Sequence, residues 1–131
     1  MRVHAIETDA PPERVWALIA RPEHWGRWSP HVRGAMGLGS PEVVEGASGH
    51  VVLRGGVRLA ARITEVVPNE SWSWRVGGLH VRHSVRPAGT GSRIEHVVEG
   101  SSRPWSIAAL AYAPIVGLIA RNIARVAERH G

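Results

Sequence analysis

Two histidines in alternating segments carry the strongest chemical signal in this 131-residue chain. His83 lies in Leu79–Arg86 and His96 in Ser92–Gly100, and both stretches have the period of two that marks a strand. Imidazole titrates near neutrality, so a facing pair suits general acid/base work or hydrogen bonding to a ligand. Whether they face each other depends on register, and the turns propose one. If Gly77-Gly78 is a two-residue turn, Val76 faces Leu79, Trp74 faces Val81 and Trp72 faces His83. A hairpin through Pro87–Gly91 that pairs Val85 with Ile94 sets His83 opposite His96. Through Pro68-Asn69, Ile63 opposes Trp74 and Glu65 opposes Trp72. Glu65, Trp72, His83 and His96 then form one row on one sheet face, with opposed Cβ atoms about 4.5–5.5 Å apart.

This register puts Val57, Leu59, Ala61, Ile63, Trp72, Trp74, Val76, Leu79, Val81 and Val85 on the same face, and Arg58, Arg62, Thr64, Ser73, Arg75, Arg82 and Arg86 on the other. So clean a division supports it. The catalytic candidates are His83 and His96. Candidate ligand contacts are Trp72 and Trp74 as a stacking wall, Trp28 near the cavity mouth, Glu65 at the end of the row, Met36 on the strand His31–Leu38, and Tyr112, whose hydroxyl lies on the closing helix. His50 and Arg54 join them if Gly55-Gly56 is a two-residue turn, because that turn pairs Arg54 with Val57 and His50 with Ala61. Hydrophobicity alone points Val51 and Leu53 inward instead, and a bulge decides between the two.

Composition excludes several classes. There is no cysteine, hence no disulfide, thiolate metal site or cysteine nucleophile. No G-x-S-x-G, H-E-x-x-H or Walker motif occurs, no third ligand at convincing spacing joins the histidines in a metal site, and no cofactor motif is present. The formal charge is +5, but all 16 basic residues are arginines spread along the chain, whereas a nucleic-acid surface clusters them; nucleic acid is not an expected partner. The longest uncharged run, Pro104–Ala120, is shorter than the roughly 20 residues of a membrane span. The first residues lack the apolar core of a secretion signal. A cytoplasmic protein without stable membrane insertion is the expectation.

The elements that must position these side chains follow in order. Arg2–Thr8 reads as a strand, Asp9 as an N-cap, and Pro12–Ile19 as a short helix that Pro22 ends. Pro22–Trp28 is a second helical turn. Strands are expected at His31–Leu38, His50–Arg54, Val57–Val66, Ser71–Val76, Leu79–Arg86 and Ser92–Gly100, then one helix from Pro104 to Arg129. The fold class is α+β: one domain over residues 1–131, with a curved seven-stranded antiparallel sheet, two short helices after the first strand, and a long C-terminal helix packed across the sheet.

This order, with Ala10-Pro11-Pro12-Glu13-Arg14-Val15-Trp16 after the first strand and Glu23-His24-Trp25-Gly26-Arg27-Trp28-Ser29-Pro30 after it, resembles the helix-grip superfamily of START, Bet v 1 and polyketide-cyclase-like proteins (SRPBCC). Ile63-Thr64-Glu65-Val66-Val67-Pro68 leading to Trp72-Ser73-Trp74, and Gly89-Thr90-Gly91-Ser92-Arg93 before the last strand, carry the same resemblance, nearest the polyketide cyclase/dehydrase-like branch. It implies a cavity between sheet and helix for a hydrophobic or aromatic small molecule. It also implies either a cofactor-independent cyclase or dehydratase, in bacterial secondary metabolism, or a non-enzymatic carrier or sensor of a lipid or aromatic metabolite. The closing helix adds one more expectation. Its wet face at Arg121, Arg125, Glu128 and Arg129 continues backwards into Leu118, Pro114, Ala111 and Ile107, all apolar, which suggests a second contact such as a homodimer mate. Pro114 should bend the helix beside Tyr112.

Overall fold

The computed structural model describes the backbone of residues 2–129, and their side chains except those of 2 and 109–113. Strand β1 (Arg2–Thr8) leads into helix α1 (Pro12–Ala20), which buries Val15, Trp16, Leu18, Ile19 and Ala20. Asp9 is not its cap. The N-cap position is Pro11, which has no side-chain donor or acceptor, and the Thr8 hydroxyl instead accepts the Ala10 N–H at 3.3 Å. A 3-10 turn (Pro22–His24) runs into α2 (Trp25–Trp28). Strands β2 (Val32–Met36), β3 (Ser48–Leu53), β4 (Arg58–Val67), β5 (Ser71–Val76), β6 (Leu79–Ala88) and β7 (Gly91–Gly100) precede α3 (Arg103–Arg129).

The strands form one seven-stranded antiparallel sheet in the order β1-β7-β6-β5-β4-β3-β2. Six strands meander and the first closes against the last, which with the long helix makes the helix-grip fold. The expected register holds over β5–β6–β7: Trp72 pairs with His83, His83 with His96 and Val81 with Val98. It departs in two places. A bulge between Ile63 and Glu65 shifts the rest of β4, so Val66 faces Trp72 while Glu65 pairs with Ser73 on the outer face. At the β3–β4 turn, the Leu53 N–H bonds the Val57 carbonyl at 2.7 Å, and three residues rather than two make the loop. His50 therefore pairs with Ala60 and Val51 with Leu59. Val51 is 2% exposed, so apolar burial decided the face.

Helix α3 presents Val116, Ile119, Ala120, Ile123, Ala124 and Ala127 to the interior, a stripe of helical period. It lies mainly over β1 and β7. Its C-terminal half is tied down by Asn122 Nδ2 donating to the Trp28 carbonyl at 3.0 Å, Arg14 Nη1 donating to the Ala127 carbonyl at 3.2 Å, and Thr8 Oγ1 donating to Glu128 Oε2 at 2.7 Å. Ile107, Ile115 and Leu118 are exposed, so the outer side of α3 carries apolar residues before Arg121, as expected, and charged ones from Arg121 on. Pro114 lies inside α3, which is helical on both sides of it, from Arg103 to Arg129; the side chain of Tyr112, expected beside the bend, lies outside the described set. No helix among the described residues is long and apolar enough to cross a membrane.

Candidate functional site

Because α3 lies mainly over β1 and β7, the inner faces of the other strands are left to α1, α2 and a cavity. Four tryptophans build its wall. The last turn of α1 leaves carbonyls without helical partners, and indole N–H groups supply them. Trp25 and Trp72 both donate to the Ile19 carbonyl, at 2.9 and 3.0 Å, and Trp28 donates to the Leu18 carbonyl at 3.0 Å. With their polar ends fixed, the rings stack. Trp25 lies 5.4 Å from Trp72 at an interplanar angle of 11°. Trp74 meets both edge-on, at 5.3 and 5.2 Å. Trp72 in turn stacks on His83 at 4.2 Å.

The cavity has a volume of about 240 Å³. Trp25, Trp28, Trp72, Trp74, Val51, Leu53, Leu59, Val76, Leu79 and Val81 line it with Val116 and Ile119 of α3; the polar members are Ser29, His31, His83 and His96. Among the described residues no Asp, Glu or Arg belongs to the lining.

His83 and His96 sit at the inner end, 6% and 1% exposed, their rings edge to face at 4.9 Å. Among the described residues none of their four ring nitrogens has a hydrogen-bond partner, and each of these nitrogens is itself buried. His4 of β1 is opposite His96 and continues the row, its Nε2 also buried and unpartnered. Burial holds His83 well below the usual 6.5, and the neighbouring His96 adds to this. Burial lowers His96 to about 4, with His4 contributing. Both imidazoles are thus neutral near pH 7, and each offers one N–H donor and one acceptor nitrogen. A base this weak is far from the pKa that favours proton transfer at neutral pH.

The structure brings Trp28, Trp72, Trp74, His83 and His96 together on one wall and disperses the remaining candidates. Glu65 is exposed on the outer face because of the bulge. Met36 pairs with His50 on the outer face and is 53% exposed. His50 shares that face because of the three-residue turn. Arg54 is exposed and donates to the Gly26 and Ser29 carbonyls at 2.8 and 3.3 Å, tying α2 to the β3–β4 turn rather than entering the cavity. Tyr112 lies outside the described side chains. Ser29, His31, Val116 and Ile119 line the cavity without having been singled out. The helical spacing of Val116 and Ile119 marks them as inward-facing. Nothing in the sequence marks Ser29 or His31, which only the placement of α2 brings to the rim. Among the described residues no group of three His, Cys, Asp or Glu side chains is placed to hold a metal ion.

Residues 3–131 match the family described as polyketide cyclase/dehydrase and lipid transport. No protein of curated function matches the sequence. Among solved structures, protein MLL2253 from Mesorhizobium loti superposes with a TM-score of 0.77 at 17% identity, covering 99% of both chains. Protein NE0264 from Nitrosomonas europaea gives 0.77 at 13% identity, covering 99% of this chain and 95% of its own. Protein Ms6760 from Mycobacterium smegmatis gives 0.67 at 18% identity, covering 95% and 88%. At these identities the likeness is one of fold.

Proposed function

The chain belongs to the polyketide cyclase/dehydrase and lipid transport family, and from that premise we propose that it binds an apolar, aromatic small molecule in the cavity between sheet and α3, with His83 and His96 in its wall. One observation carries the reading: a cavity walled by four tryptophans and by apolar side chains, with no Asp, Glu or Arg among its described lining residues. A cavity of about 150 Å³ accepts benzene, so about 240 Å³ suits an occupant of one or two rings. In this reading the protein is a carrier or sensor. Native mass spectrometry of the protein as purified tests it: a co-purified aromatic mass that is lost in Trp72→Ala supports the reading, and a protein that stays empty and shows no thermal shift with any aromatic compound overturns it.

A second reading is a cofactor-independent cyclase or dehydratase with His83 and His96 as acid and base. The close pairing of the two rings favours it; their depressed proton affinity favours the first. Single His83→Ala and His96→Ala variants separate the two. Lost turnover with retained ligand binding supports the enzyme, and turnover unchanged in both removes it.

A further inference from the structure

Of the four indoles in the cavity wall, three commit their N–H groups to the end of α1 and the fourth, Trp74, does not. We propose that Trp74 is the hydrogen-bond donor of the cavity: its Nε1–H donates to an oxygen of the bound molecule, so that the cavity selects aromatic compounds carrying an acceptor oxygen (carbonyl, ether or hydroxyl) over bare hydrocarbons of the same shape. This rests on the binding reading above and deepens it.

Elimination among the polar atoms of the wall singles out this group. An indole only donates, and a tryptophan in a protein interior ordinarily gives its N–H a partner. Trp25 and Trp72 share the Ile19 carbonyl and Trp28 takes that of Leu18. The Ser29 hydroxyl accepts the Val32 N–H at 3.0 Å and is 3% exposed. His31 has an interaction of its own. The ring nitrogens of His83 and His96 are each buried, out of reach of a ligand atom. Trp74 differs from all of these. Among the described residues its Nε1–H has no acceptor, and unlike the imidazole nitrogens it is not sealed from contact. Its place on β5 explains this. Trp74 pairs with Ile63 and Val81, two apolar side chains, on the inner face of the sheet. The ring is nevertheless held: it meets Trp25 edge-on at 5.3 Å and Trp72 at 5.2 Å, so the direction of its N–H is set before a ligand arrives. A ligand oxygen that accepts this bond lets the ring bearing it pack on Leu53, Val76, Leu79 and Val81. A bare hydrocarbon strips water from the same N–H and returns nothing, which is the unfavourable case for a polar group.

The test is equilibrium dialysis of the whole protein at neutral pH against indane and 1-indanone, which share a shape and differ by one carbonyl. A net hydrogen bond of about 1 kcal/mol is about five-fold in affinity, so 1-indanone should bind about five-fold tighter than indane. Equal affinity, or a preference for indane, overturns the Trp74 donor while leaving an aromatic cavity in place. Failure of both compounds to bind overturns the cavity reading and the donor with it. Trp74→Phe keeps an aromatic ring in the wall and removes the N–H; there the preference for 1-indanone should vanish with indane still bound, and an undiminished preference overturns the proposal. Far-ultraviolet circular dichroism confirms that the variant is folded. A second readout needs only the parent protein once the variant has assigned one signal. In the proton–nitrogen spectrum, the indole resonance that is missing in Trp74→Phe should move downfield with 1-indanone and not with indane, as its N–H enters a new hydrogen bond; the same response to both compounds, or none, overturns the assignment of Trp74 as the donor.

Discussion

The neutral histidines make stability depend on pH in a defined window. His96 has a folded pKa of about 4 against an ordinary 6.5. The unfolded state therefore binds the proton more readily. The contribution is fully present above pH 6.5 and is lost as pH falls from there towards 4. At pH 5 the loss from His96 alone is about 2 kcal/mol relative to pH 8, and it approaches about 3 kcal/mol below pH 4. His83 is shifted the same way by burial and by His96, and adds to the loss. Glu95 acts in another window: the hydrogen bond from Arg93 lowers its pKa, so its contribution is lost only below the ordinary 4.5. Urea unfolding between pH 8 and 5 isolates the histidines. The midpoint should fall steadily, and the melting temperature by roughly 5–10 °C. His96→Phe should flatten much of this slope and, because it removes two orphaned nitrogens, should not destabilise the ligand-free protein at pH 7. A flat profile in the parent protein, or the same slope in His96→Phe, would refute the reasoning.

Four further outcomes follow from the packing. Trp72→Ala removes a ring that is 1% exposed and its bond to the Ile19 carbonyl; denaturant titration should show a loss of about 3–5 kcal/mol. Gly49→Ala drives a Cβ into the Met36 carbonyl and the Gly37 backbone, which cannot swing aside, so β2 must shift and stability should fall by about 1–3 kcal/mol. In Gly78→Ala the nearest atoms to the new Cβ all belong to the Trp105 side chain, which is 40% exposed and can shift towards solvent; tryptophan emission should shift to the red with a smaller loss of stability than Gly49→Ala. Thr8→Val breaks the hydroxyl bonds to Glu128 and Ala10, and hydrogen exchange should show earlier opening at the C-terminal end of α3, at a cost of about 1–2 kcal/mol.

Local physics was legible along the chain. Alternation, proline and glycine placement marked every strand to within a few residues, and the Gly77-Gly78 turn set the register that joins Trp72, His83 and His96. A side-chain period of two leaves no choice once one turn is known and one face is apolar. That part of the site, with Trp74 beside it, was therefore available from sequence alone. Glu65, His50 and Arg54 were misplaced for a single reason: a bulge or a one-residue change in turn length costs little locally, yet moves every later side chain to the opposite face. Met36 followed the same edge strand outward.

Tertiary structure alone decided the rest. That the two imidazoles lack partners depends on what surrounds them, and burial, not residue type, makes them neutral. That the indoles of Trp25, Trp28 and Trp72 cap the end of α1 depends on where that helix docks, and this leaves their ring faces for the cavity. The sequence determined a sheet with one apolar face and two histidines in a row on it. The placement of α3 over β1 and β7, rather than over the tryptophans, turned that face into a cavity with a polar end, because a single helix cannot cover seven strands.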